Sequence, residues 1–178
     1  ATLSYILMGT ETMFKFNMSE AFDLARVPYV LLLGIVCGLV SLYFTKVTVG
    51  IEKFFKRFKS PYTRLLIGGS VLSVLIFLFP PLYGEGYGSL HELLNGGVID
   101  FEGQTVLAFI TRKPWSVPIF FLMILLLKVF SMSFTNAGGG VGGTFGPTLF
   151  IGAIAGFVVS RTINLIGGGA VVPEQNFV

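Results

Sequence analysis

The sequence predicts an all-α, polytopic membrane protein, and three observations carry that prediction. Hydrophobic residues make up 53% of the chain against 12% charged, and mean hydropathy is +0.83, beyond the usual range of soluble domains. Apolar runs cover 29–49, 65–82 and 115–134, and a fourth follows Pro147 to about Ile166; such runs can cross about 30 Å of hydrocarbon. Glycine supplies 23 of the 178 residues, as where membrane helices approach closely.

The same composition excludes other classes. Cys37 is the single cysteine and lies in an apolar run, so no disulfide framework or metal cluster is expected. The single His91 has no ligand or triad partners in view. The net charge of +3 comes from one basic cluster and does not suggest nucleic acid. A membrane enzyme is disfavoured, because no cluster of His, Asp, Glu or Cys lies near the glycine-rich loop described below. No cleavable signal peptide is visible, and residues 1–9 read as the end of a helix cut from a longer chain.

Taken in order, residues 10–26 are polar with scattered aromatics (Phe14, Phe16, Phe22) and read as a loop or interfacial segment ending at Val27-Pro28. The first full span, 29–49, is apolar except for Lys46. Gly34 and Gly38 form a small-xxx-small pair on one of its faces, suited either to packing inside the subunit or to contact with a second subunit. A basic loop, 53–64, sets five cations against Glu52; the positive-inside rule makes it cytoplasmic, and binding to anionic headgroups is a secondary reading. The second span closes at Pro80-Pro81. The next loop carries Glu85, Glu92, Asp100 and Glu102 and fits the outer side, with a short helix at about 89–95. Residues 104–113 are mildly apolar. Trp115 then opens the third span at an interfacial position, and Lys128 stands inside that span. A charge there is costly and faces protein or water. It serves either structure, by pairing with carbonyls, or electrostatics, by raising the potential along an anion path.

The chain is organised around Thr135-Asn-Ala-Gly-Gly-Gly-Val-Gly-Gly-Thr-Phe-Gly-Pro147, a glycine-dense loop that opens into an apolar helix. Proline suits the first helical turn, where its missing amide would be unpaired anyway. No charged residue occurs between Lys128 and Arg161, so the loop stays close to the apolar segments flanking it. A helix start there presents free N–H groups and about half a positive elementary charge. Irregular backbone survives in lipid only where protein buries it or where it lines a cavity. The physical reading is an anion site made of backbone. Half a charge at about 5 Å and an effective dielectric of about 20 contributes roughly 1.7 kcal/mol. Desolvating a small ion costs several kcal/mol, so other helix starts must converge on the same point.

Two rivals for the loop fail. Gly138, Gly140 and Gly143 match the dinucleotide spacing, but a membrane span precedes them and no acid follows before Glu174. The phosphate-binding loop fails because no lysine stands before Thr144. Downstream, Gly152 and Gly156 form a second small-xxx-small pair, and Gly167-Gly168-Gly169 breaks the last helix.

Gly142-Gly143-Thr144-Phe145-Gly146-Pro147 resembles the G-G-(I/V)-F-A-P signature of the CLC chloride channels and proton-coupled chloride exchangers. Thr144 and Gly146 depart from the commoner Ile and Ala, and Val141-Gly142 stands where many members have Pro-Gly. Leu127-Lys128-Val129 strengthens the likeness, since the family often has a basic residue there. The resemblance implies a CLC-type partial fold of tilted and broken transmembrane helices, with residues 1–178 forming a central part and no soluble domain. It implies an anion held by the backbone amides of Thr144 and Phe145, supported by the Gly142, Gly143, Gly146 and Pro147 loop. It also tilts the Gly34/Gly38 face toward contact in a homodimer. Chloride or a similar anion would be the substrate, with no further cofactor, in a multi-pass protein of the lipid bilayer, expected in a bacterial inner (plasma) membrane. Glu85 is not expected to be the family's gate, which sits in a G-(K/R)-E-G-P motif well upstream of the helices recognised here. The alternative function is a structural membrane domain of another transporter, in which the glycine loop serves packing only.

Overall fold

The computed structural model describes residues 24–84, 115–169 and 171–178. The readings of residues 1–23, of the acidic loop with Glu85 and His91, and of 104–113 lie outside the described residues. Within them there are four α-helices and no strand. All four helices are long and apolar enough to cross a membrane.

Helix α1 (Val27–Phe55) follows a 3₁₀ turn, Leu24–Arg26, and carries Pro28 in its first turn, where proline is tolerated. It outruns the apolar run and continues through Glu52 and Lys53, which shortens the expected basic loop to residues 56–60. The reason is an apolar pair one turn apart: Ile51 and Phe55 are buried, and the Phe55 ring meets Phe134 edge-on at 5.6 Å. Helix α2 (Pro61–Leu78) starts on proline and stops four residues earlier than the hydropathy suggests. Phe79 precedes Pro80, and the proline ring bars it from helical backbone; its φ of −132° and ψ of 81° show the break. Pro80–Leu82 then forms a 3₁₀ turn.

Helix α3 (Ser116–Ala137) is the centre of the structure, packing against α4 most extensively and also against α1 and α2. Phe120, Phe121, Ile124, Leu125 and Val129 are buried there against Phe150, Ile151 and Ile154 of α4 (Phe145–Gly167). Polar ties fix the register of α1 on α3. The Tyr43 hydroxyl donates to the Leu126 carbonyl at 3.1 Å, and the Thr48 and Ser133 hydroxyls share a hydrogen bond of 3.0 Å. Helix α4 ends at Gly168, whose φ of +69° is the left-handed cap position that glycine adopts without strain. The chain then folds back on α4. Asn164 accepts from the amides of Val171 and Val172 at 2.9 Å each and donates to the Val172 carbonyl at 2.9 Å. Arg161 pairs with Glu174 at 2.9 Å.

Candidate functional site: the glycine loop and the start of α4

The loop between α3 and α4 divides into two halves with different work. In the first half, glycine amides close the end of α3. Gly138 donates to the Phe134 carbonyl at 2.9 Å, Gly139 to Asn136 at 3.2 Å and Gly140 to Thr135 at 2.9 Å. Glycine is needed for two reasons here. Gly139 has a φ of +101°, and a Cβ on Gly140 would lie 2.8 Å from Thr135 Cγ2 and 2.9 Å from its carbonyl oxygen.

The second half leaves its donors open. Thr144 is the N-cap of α4 in helical backbone (φ −86°, ψ −13°), and its hydroxyl makes no capping bond. The first bond of the helical ladder runs from the Thr148 amide to the Thr144 carbonyl at 3.0 Å. The Thr148 hydroxyl turns back onto the carbonyls of Thr144 and Phe145, at 2.9 and 2.8 Å. Among the described residues, nothing accepts from the amides of Gly143, Thr144, Phe145 or Gly146, and Pro147 has none to offer. Thr144 and Phe145 are exposed, while Gly146 and Pro147 are buried.

Lys128 is 2% exposed. Its ammonium donates to the carbonyls of Leu82 at 3.0 Å and Gly84 at 2.6 Å, and lies 5.1 Å from the centre of the Phe150 ring. One cavity of about 270 Å³ brings Lys128 together with Gly142, Gly143 and Pro147, and with Ser131, Thr135 and Asn136 of α3. Thr144 and Phe145 are not among its lining residues. Ser131 escaped the sequence reading, which named Thr135 and Asn136 as the start of the glycine stretch but gave them no place beside Lys128. The available signal was a stripe: Lys128, Ser131 and Thr135 recur at helical spacing on a mostly apolar helix. Glu52 and Glu174, the described acids, line other hollows. Gly34 and Gly38 lie away from the loop, exposed on α1 with open space where a Cβ would stand.

The family description "Voltage gated chloride channel" matches residues 1–178, the whole chain. Among curated proteins, the chain is 27% identical to chloride channel protein CLC-f of Arabidopsis thaliana, over 99% of this chain and 22% of that protein. It is 26% identical to the voltage-gated ClC-type chloride channel ClcB of Salmonella typhimurium, over 89% of this chain and 34% of that protein. An uncharacterized protein of Methanocaldococcus jannaschii is 25% identical, over 89% of this chain and 36% of its own length. The chain thus spans between about a fifth and about a third of the length of these relatives. No solved structure matches it. A match over every residue, joined to four helices fit to cross a bilayer, makes this an integral membrane chain that belongs to the voltage-gated chloride channel family.

Proposed function

We propose that the protein carrying this chain conducts or exchanges chloride or a similar anion across a membrane, as a channel or a proton-coupled exchanger. We further propose that the amides of Thr144 and Phe145 help to hold the ion. One observation carries the site: at the start of a 23-residue apolar helix, a run of backbone donors has no acceptor among the described residues. Unpaired donors at such a place cost free energy unless a ligand or another part of the protein satisfies them. An anion does so and gains from the helix dipole.

The packing-only alternative has support at particular glycines and lacks it at others. Gly138 and Gly140 sit where a Cβ would collide with backbone, so packing accounts for them. Gly143 has nothing within 4 Å of a Cβ position, and Gly142 has only Asn136 Oδ1 at 3.7 Å. Close approach of a ligand to the backbone accounts for glycine there, where packing does not. Association of two copies through the open Gly34/Gly38 face belongs to the same proposal, in which the lipid bilayer surrounds the remaining apolar faces.

Crystals of the intact protein soaked in bromide test the site. The anomalous peak is expected about 3.2–3.5 Å from the nitrogens of Thr144 and Phe145, beyond oxygen-acceptor distances because halides are larger. A peak elsewhere, with none at the loop, overturns the assignment.

A further inference from the structure

We propose that the basic end of α1, together with the first turn of α2, is a docking site for the headgroup of an anionic phospholipid. Lys53, Lys56, Arg57, Lys59 and Arg64 stand within this short stretch against one acid, Glu52. At 29 residues α1 is about 43 Å long and outruns the roughly 30 Å hydrocarbon layer, so its cationic last turns reach headgroup depth. Lys53, Lys56, Arg57 and Lys59 are exposed, and among the described residues none of the five cations has an acidic partner; the ion pair found there is Arg161–Glu174.

Setting the orientation of a membrane protein requires only a count of cations in a loop. The structure adds shape. A hollow of about 220 Å³ is walled by Glu52, Phe55, Lys56 and Arg64, with Asn136 and Ala137 from the end of α3 behind them. Arg64 Nε donates to the Phe58 carbonyl at 2.8 Å, which fixes the guanidinium and leaves its outer N–H groups for a phosphodiester. Glu52 suits a headgroup that also carries hydroxyls, since a carboxylate accepts from them while the phosphate meets the two cations. That combination describes phosphatidylglycerol better than a bare phosphate. The aromatic surroundings favour a lipid over a soluble anion: Phe54 and Tyr62 are 43% and 77% exposed beside the cations, placed to contact the acyl edge of a headgroup.

Native mass spectrometry of the detergent-purified intact protein tests the site, with phosphatidylglycerol and phosphatidylcholine of identical chains as the titrants. Phosphatidylglycerol is expected to bind at least about tenfold more tightly, since each basic residue near an anionic surface contributes roughly fivefold. The variant Lys56→Gln/Arg57→Gln/Lys59→Gln is expected to lose most of that preference. Lys56→Gln alone should lower it about fivefold, which keeps the test open if the triple variant fails to fold. A large molar excess of glycerol 1-phosphate is expected to leave the lipid bound. Equal affinity for the two lipids, an undiminished preference in the folded Lys56 variant, or displacement by the soluble phosphate would each overturn the proposal. The bromide experiment above is indifferent to all three outcomes.

Discussion

Gly68 and Gly138 meet backbone to backbone where α2 crosses the end of α3. A Cβ on Gly68 would lie 3.2 Å from the Gly138 Cα and 3.1 Å from the Phe134 carbonyl oxygen. Both neighbours are main chain and cannot turn aside. Gly68→Ala is therefore expected to destabilise the protein by about 1–3 kcal/mol, the cost of overpacking a tight contact. Gly69→Ala is the control, since nothing lies within 4 Å of its Cβ position. Thermal unfolding in detergent reads both; equal midpoints for the two variants would show that the crossing is not tight.

Lys128 ties α3 to the turn that follows α2, through the carbonyls of Leu82 and Gly84. Lys128→Met keeps much of the volume and removes the donor, leaving those carbonyls without it. The expected cost is about 1–3 kcal/mol, that of stripping a partner from buried polar groups. Lys128→Arg should recover part of it. Hydrogen exchange separates structure from electrostatics here. A tie predicts faster exchange around residues 82–84 in the Met variant. A purely electrostatic role predicts unchanged exchange with weaker anion binding.

Gly156 lies under the returning segment 171–178, and a Cβ there would collide with the main chain of Phe177. Phe177 is itself buried, 6% exposed, in a small cluster with Val159 and Val172. Gly156→Ala is expected to lift residues 171–178 off α4 and to expose them to limited proteolysis. Gly152→Ala, with open space at its Cβ position, should leave that segment protected. Asn164→Ala approaches the same region from the other end, by removing the side chain that engages Val171 and Val172. It is expected to loosen the segment without a steric clash. Protection of residues 171–178 in all three variants would mean that neither contact holds them.

Much of the fold was legible in the sequence because the bilayer leaves few options: long apolar runs must become helices. The spans 29–49, 65–82 and 115–134 correspond to α1, α2 and α3, and the helix after Pro147 corresponds to α4. The ends were less legible. Hydropathy stops at charge, whereas α1 continues past Lys53 because Phe55 has a buried place to go. Hydropathy likewise ignores backbone rules, and α2 stops before Pro80 although the run stays apolar. At the loop, the sequence gives the glycines without dividing their labour. Gly140 is crowded because the chain turns back on Thr135 at the end of α3, whereas Gly143 stands clear, and the run of glycines itself does not specify where that turn falls. The fold-back of 171–178 was equally hidden, because Asn164 reads as an ordinary helical asparagine until Val171 and Val172 are seen to donate to it.

The anion site itself rests on separating a backbone role from a side-chain role at one residue, Thr144. Its hydroxyl makes no capping bond, so Thr144→Val removes a group that the helix start does not use. Anion affinity is expected to stay within about twofold, a change smaller than the loss of one net hydrogen bond. Thr144→Pro deletes the amide instead. Its φ of −86° lies near the proline range, and the preceding Gly143 has the freedom to accept a following proline, so the backbone is little strained. A hydrogen bond to a charged group contributes about 1.5–3 kcal/mol, which corresponds to a loss of affinity between about tenfold and 150-fold. Halide titration by calorimetry on the intact protein reads the affinity, and its circular dichroism first establishes that each variant is folded. If Val weakens binding as much as Pro, the hydroxyl is the ligand. If neither weakens it, the ion is held elsewhere, and the open donors at the start of α4 serve another partner.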